Sequence, residues 1–200
     1  MTKAILARHA ESELSLAGLT NGVPSLAAGL TATGREQARR LGERLPGEPL
    51  DLCVVSEFQR ARETAELALA GRDVARLVLP QLNDVRFGEF EGRAIADYRA
   101  WAHSHGPEEP APGGGESRAA AVARYADGYR TILKRAEETV LVVAHGLPVR
   151  YALDAAAGGD PVPAVRQVPY AEPFRLTNAE LAAAVERLEQ WAAHPSWTRS

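Results

Sequence analysis

Residues 139 to 144 read Thr-Val-Leu-Val-Val-Ala, a continuous run of β-branched and leucine side chains with no polar alternation. Such a strand has to be covered on both faces, which places it in the middle of a parallel sheet and calls for helices above and below. Shorter apolar runs occur at Ala4-Ile5-Leu6-Ala7 and Leu52-Cys53-Val54-Val55, and a weaker one near 76–79 is ended by Pro80. Helical patterns separate them. Thr33 and Glu36 have capping-box spacing and open a helix through about Leu45, with Ala38, Leu41 and Leu45 on one face. After the turn Pro46-Gly47-Glu48-Pro49 and the second strand, Ser56 and Gln59 form another candidate box for a helix to about Ala70. A helix from about Ser117 to Arg135 precedes the central run, and Pro148 suits the first residue of the helix after it. Short strands around 164–168 and 173–176 would complete the sheet. Thr177 with Glu180 then caps a terminal helix whose Leu181, Val185, Leu188 and Trp191 form an apolar stripe, better suited to the core than to a dimer interface, which stays open. The expected architecture is α/β: a three-layer α/β/α sandwich on a mostly parallel sheet, with a lid-like insertion at about 81–117 that is rich in Gly, Pro, Trp and His.

With 200 residues and 46% hydrophobic content, the chain is expected to form one domain over 1–200. Its net charge of −3, with scattered Lys and Arg, lacks the footprint of a nucleic-acid binder. No apolar run reaches membrane length, no targeting segment opens the chain, and the single cysteine, Cys53, sits in a strand pattern with no intramolecular partner. These features lead to the expectation of a soluble, cytoplasmic protein.

Open α/β sheets gather ligands outside the carboxyl ends of their strands. Three strand ends here carry His or Arg: Arg8-His9-Ala10-Glu11 after the first run, Ser56-Glu57-Phe58-Gln59-Arg60 after the second, and His145-Gly146 after the central one. Either histidine alone suits a hydrogen-bonded loop residue, but together with two arginines they suit a phosphate site. His103-Ser104-His105 is the one further histidine pair; without a Cys or Asp cluster beside it, no metal site is expected.

The ordered segments Arg8-His9-x-Glu11, Leu30-Thr31-x-x-Gly34-x-x-Gln37-Ala38, Ser56-x-x-x-Arg60-Ala61-x-x-Thr64-Ala65, Phe87-Gly88-Glu89-Phe90-Glu91-Gly92, Gly115-Glu116-Ser117 and Val143-Ala144-His145-Gly146 resemble the histidine phosphatase superfamily in its phosphoglycerate-mutase-like branch. The resemblance covers most of the chain. It implies a metal-independent mechanism, without cofactor, in which His9 is phosphorylated by a small phosphorylated substrate. Arg8 and Arg60 would hold the phosphate bidentately and depress the His9 pKa, and His145 would donate to the transferring group. Where the family usually has glutamate, this chain has Asp84, one methylene shorter, as general acid and base; Glu89 and Glu91 are rivals that equally suit turn carboxylates on backbone amides.

Further departures are Ala10 in place of a glycine, which implies a turn without positive φ, and Ser15 where many members place a phosphate-binding asparagine. Asn21 is a candidate substitute donor. Glu116 and Ser117 match a segment that lines the substrate pocket, although Ser117 also suits a helix cap. Arg93, Tyr98, Trp101 and Arg118 either read the leaving group or pack the lid. The compact lid favours hydrolysis over mutase chemistry; a mutase and a non-catalytic phosphate-binding protein are the alternatives.

Overall fold

The computed structural model describes residues 1–45 and 47–197; Pro46, assigned above to a turn, lies outside them. Five strands, β1 (Lys3–Arg8), β2 (Leu52–Val55), β3 (Ala75–Val78), β4 (Thr139–Ala144) and β5 (Phe174–Thr177), form one sheet in the order β3-β2-β4-β1-β5. The helices are α1 (Glu13–Leu16), α2 (Ala32–Glu43), α3 (Gln59–Ala68), α4 (Ile95–Ser104), α5 (Arg118–Leu133), α6 (Gly146–Ala156) and α7 (Asn178–Ala193), with single 3-10 turns at Pro80–Leu82 and Gly88–Phe90.

The run Thr139–Ala144 takes the central place that its composition demands: β4 pairs in parallel with both β1 and β2, and all six of its residues are buried. β3 adds in parallel to β2, and only β5 runs antiparallel, against β1. Alternate side chains feed two separate cores. Ala4, Leu6, Val54, Val140 and Val142 face the side packed with α5, α6 and α7, while Ile5, Ala7, Cys53, Leu141 and Val143 pack with residues of α2 and α3. This is the expected α/β layering. The stripe Leu181, Val185, Leu188 and Trp191 is buried within the first of these cores.

Several local expectations change. The N-cap of α2 is Thr31, whose hydroxyl accepts from the Gly34 amide at 2.9 Å, because residues Thr33 and Glu36 already lie inside the helix. The N-cap of α3 is Phe58, with no side-chain bond; the Ser56 hydroxyl turns instead to His145. Pro148 occupies the third position of α6, still within the turn whose amides lack helical partners. No strand forms at 164–168. Pro163 and Pro169, which lack ladder donors, bound the segment on either side, and the carbonyls of Arg166 and Val168 are taken by the guanidinium groups of Arg150 and Arg8, both at 2.9 Å. The segment 81–117, read as irregular, contains α4, whose start at Ala94 has no side-chain cap and so no sequence signal. Phe87, Tyr98, Ala102 and Ala111 fasten the segment to the main core.

Candidate active site

The carboxyl ends of β1, β2 and β4 lie side by side, so Arg8, Ser56 and His145 emerge together at one edge of the sheet. Here a cleft of about 530 Å³ opens, lined among others by Arg8, His9, Asn21, Arg60 and Asp84. His9 leaves β1 with its amide bonded to the Ala144 carbonyl at 2.8 Å. The next turn is fastened from three directions. The Ala10 amide donates to Thr64 Oγ1 (3.0 Å), the Glu11 amide to Gln37 Oε1 (2.9 Å), and Gly34 lies so close to the Glu11 carbonyl that a Cβ there would sit 1.9 Å from its oxygen. Among the described residues the only non-glycine with positive φ is Ala171, so Ala10 needs no glycine conformation.

The tautomer of His9 follows from its neighbours. Nδ1 lies 2.7 Å from the Ala10 carbonyl, which can only accept, so Nδ1 carries the proton. Nε2 then presents its lone pair, and it lies 3.1 Å from Arg60 Nε. Burial, followed by the charges of Arg60 and Arg8, holds His9 well below the ordinary imidazole range, so the ring is neutral and nucleophilic at physiological pH.

Arg60 is the hub of the site. Besides Nε toward His9, its Nη2 donates to the Asn21 carbonyl (2.9 Å), approaches His145 Nδ1 at 3.1 Å and stands 3.5 Å from Asp84 Oδ2. Burial pulls its pKa down to about 10, which still leaves it cationic. Its guanidinium lies 4.1 Å above the Phe58 ring centroid, and its backbone carbonyl accepts from Thr64 Oγ1, the hydroxyl that also receives the Ala10 amide. Thr64 thus couples the nucleophile's turn to the helix of its arginine. Arg8 projects from β1, bonded to the Val168 carbonyl and stacked 3.9 Å from the Tyr170 ring centroid, with its buried Nε unpartnered.

His145 is fully buried, in contact with Phe58, and Ser56 Oγ lies 2.8 Å from its Nε2. Because a guanidinium can only donate, His145 Nδ1 is an acceptor toward Arg60 and the neutral ring donates from Nε2 to Ser56. Burial first, then Arg60, keeps His145 well below the ordinary imidazole range. Donation from Nδ1 to a phosphate, the role expected from the family resemblance, requires a proton on that nitrogen.

Asp84 brings Oδ2 within 3.7 Å of that same Nδ1, while Oδ1 accepts from the Val85 amide at 3.0 Å. Burial raises its pKa against the opposing pull of Arg60 and the Val85 amide. Sequence patterning does not reveal what holds Asp84 in place. Arg124, on α5, donates to the carbonyls of Gln81 (2.9 Å), Asn83 (2.9 Å) and Asp84 (3.2 Å) and forks onto Glu116 at 2.9 and 2.7 Å. Asn83 and Glu57 exchange a second pair of bonds, at 2.9 and 2.7 Å.

The remaining candidates fall into place around this centre. Glu116 and Ser117 lie outside the lining of the cleft: Glu116 anchors Arg124, and Ser117 caps α5 through the Ala120 amide. Ser15 lines the cleft, but its hydroxyl is engaged with Ser12. Asn21 contributes its backbone carbonyl to Arg60, and its side-chain amide donates to Leu26. Glu91 binds the amides of Gly22 and Phe87, Glu89 is exposed, and neither lines the cleft. Arg93 is likewise outside it, Tyr98 packs edge-on to Phe87, and Trp101 stacks on His105, whereas His103 and Arg118 line the cleft.

Arg124→Met should remove the cation from a carboxylate that is only 3% exposed, costing about 3–5 kcal/mol. Urea unfolding monitored by circular dichroism checks this; a loss below about 1 kcal/mol would mean that the pair contributes as little as a surface ion pair.

Residues 4–194 match the family model of the histidine phosphatase superfamily, branch 1. The chain belongs to that superfamily. Among curated relatives of this chain, the adenosylcobalamin/alpha-ribazole phosphatase of Salmonella typhimurium is 41% identical over 104 residues, a match spanning 48% of this chain and 50% of that protein. The chain thus spans about half the length of the first curated relatives it matches. A 2,3-bisphosphoglycerate-dependent phosphoglycerate mutase of Methylobacterium is 34% identical, with 73% of this chain and 76% of that protein covered. Among solved structures, the alpha-ribazole phosphatase of Shigella flexneri superposes with a TM-score of 0.73 at 26% identity, covering 86% of this chain and 89% of that chain. Among the described residues, no helix is long and apolar enough to cross a membrane.

Proposed function

We propose that this member of the superfamily is a metal-independent phosphomonoesterase that hydrolyses a small phosphorylated metabolite through a phosphohistidine on His9. The observation that carries the reading is the unprotonated Nε2 of His9, fixed by the Ala10 carbonyl on the opposite nitrogen and set against Arg60. A buried neutral imidazole between two guanidinium groups has no purpose in a structural site, whereas a dianionic ester needs both the cations and an uncharged nucleophile.

In the proposed reaction Arg8 and Arg60 take the nonbridging phosphoryl oxygens, and Arg60 releases His9 and His145 as it turns to the anion. Nε2 of His9 attacks phosphorus, and the Ala10 carbonyl stabilises the charge that grows on the ring. The bond to the leaving oxygen breaks, and protonated Asp84 supplies the proton to that oxygen. The negative phosphoryl group reverses the local potential at His145, which takes a proton from solvent at Nδ1 as the substrate binds, uses it in a hydrogen bond to an equatorial oxygen, and returns it to solvent when phosphate leaves. Water then attacks the phosphohistidine with Asp84 carboxylate as base, the P–N bond breaks, and phosphate leaves with His9 neutral again.

The mutase-named relative supports a second reading, transfer to an alcohol instead of water. Inorganic phosphate release from a panel of phosphomonoesters in excess chelator, with and without a bisphosphate primer, separates the two. Primer-independent release supports the phosphatase; isomerisation that starts only with primer supports the mutase; binding without either reaction would identify a non-catalytic phosphate-binding protein.

A further inference from the structure

Arg118 is 5% exposed, lines the cleft, and forms no ion pair among the described residues. Its neighbours are neutral: Nε donates to the Tyr98 hydroxyl at 2.9 Å and Nη1 to the Tyr151 hydroxyl at 2.6 Å, while the Tyr151 hydroxyl itself donates to the Val162 carbonyl at 3.2 Å. Its place in α5 adds to the mismatch. Arg118 is the first residue of that helix, where the helix dipole is positive and a cation is unfavourable.

Buried Arg60 and Arg150 and half-buried Arg124 have visible compensation in this part of the fold. Arg60 stands beside Asp84, Arg124 holds Glu116, and Arg150 pairs with Asp154. Arg8 lacks a carboxylate partner, and the proposed phosphate supplies its anion. Arg118 poses the same electrostatic problem: a desolvated charge at the wrong end of a helix persists when a counter-charge arrives with a ligand. The cleft as a whole agrees. Its lining holds five arginines, with Arg99 and Arg166 exposed and unpaired among the described residues, against one carboxylate, Asp84. A phosphomonoester brings roughly two negative charges, which leaves the cleft positive.

Building on the phosphomonoesterase reading, we infer that Arg118 forms a second anion subsite and that the substrate carries another negative group, a carboxylate or a second phosphate, on its alcohol portion. Phosphate at Arg8 and Arg60 would fix the reacting end, and Arg118, oriented by the two tyrosine hydroxyls, would select the other.

Matched esters test this. The probes are ω-phosphooxy alkanoates of increasing chain length, the corresponding primary amides, and α,ω-bisphosphates, each compared by kcat/KM. At one chain length an anionic ester should exceed its amide by about tenfold or more, as expected for a charge-assisted bond in a desolvated site. That ratio should fall close to one in Arg118→Gln, which keeps a polar amide near the tyrosine hydroxyls, and should partly return in Arg118→Lys. Whether the carboxylate or the bisphosphate series leads identifies the anion. A ratio near one at every length in the parent, or an undiminished ratio in Arg118→Gln, overturns the inference. Calorimetric titration of the same compounds into His9→Ala separates this from the catalytic reading. Tighter binding of anionic esters than amides upholds the second subsite even if the parent turns none over, whereas equal affinities overturn it whatever the turnover.

Discussion

His9→Ala is expected to lower kcat/KM for every phosphomonoester by about 10⁴-fold or more, the scale seen when a covalent nucleophile is removed. The loss should be uniform across good and poor leaving groups, because without Nε2 no P–N bond can form. Alanine fits the site without strain, since the backbone at His9 and Ala10 has no positive φ. Its Nδ1 bond runs only to the Ala10 carbonyl of the adjoining turn, so the fold should survive. Stopped assays for inorganic phosphate, with circular dichroism of both proteins, check the prediction. Retention of more than about one per cent of activity in a folded variant would show that His9 is not the nucleophile.

Asp84→Asn should give a selective loss. Esters of alkyl alcohols need a proton on the leaving oxygen, and kcat/KM for them should fall by roughly 10²–10⁴-fold. For p-nitrophenyl phosphate, whose leaving group departs as a stable anion, the fall in kcat/KM should be much smaller. The pH dependence follows from the two shifts. His9 must be neutral, and because burial and Arg60 lower its pKa, the acid limb should lie below the ordinary imidazole range. Asp84 must be protonated, and because burial raises its pKa, activity should decline as pH rises through a value above the ordinary carboxylate range. Asparagine cannot lose a proton, so the alkaline limb due to Asp84 should vanish in Asp84→Asn. Equal losses for alkyl and p-nitrophenyl esters, with the alkaline limb unchanged, would move the acid role elsewhere.

The central strand, its parallel neighbours and the capped helix α7 are legible in the sequence because each depends on local periodicity or on a box closed within four residues. Thr177 and Glu180 form such a box, and the structure contains it. The convergence of Arg8, His9, Arg60, Asp84 and His145 was readable from strand ends and the family resemblance. What patterning could not show are partners remote in sequence. The spacing of Ser56 suits a helix cap, yet its hydroxyl meets a histidine 89 residues away. The family resemblance points Glu116 to the substrate pocket, whereas its carboxylate supports Arg124, whose three carbonyl contacts position the segment bearing Asp84. At 164–168 an expected strand is absent because arginine side chains satisfy carbonyls that a strand would have paired. Apolar content alone does not distinguish the two.

The central claim is the covalent phosphohistidine at His9. Rapid quenching of the parent protein with a radiolabelled phosphomonoester, followed by digestion and mapping of the labelled peptide, tests it most directly. The mechanism predicts stoichiometric label that is stable to alkali, lost in acid and confined to the peptide containing Arg8-His9-Ala10. Turnover with label on another residue, or sustained phosphate release with no trapped label even where hydrolysis of the intermediate is slowed by Asp84→Asn, would contradict it.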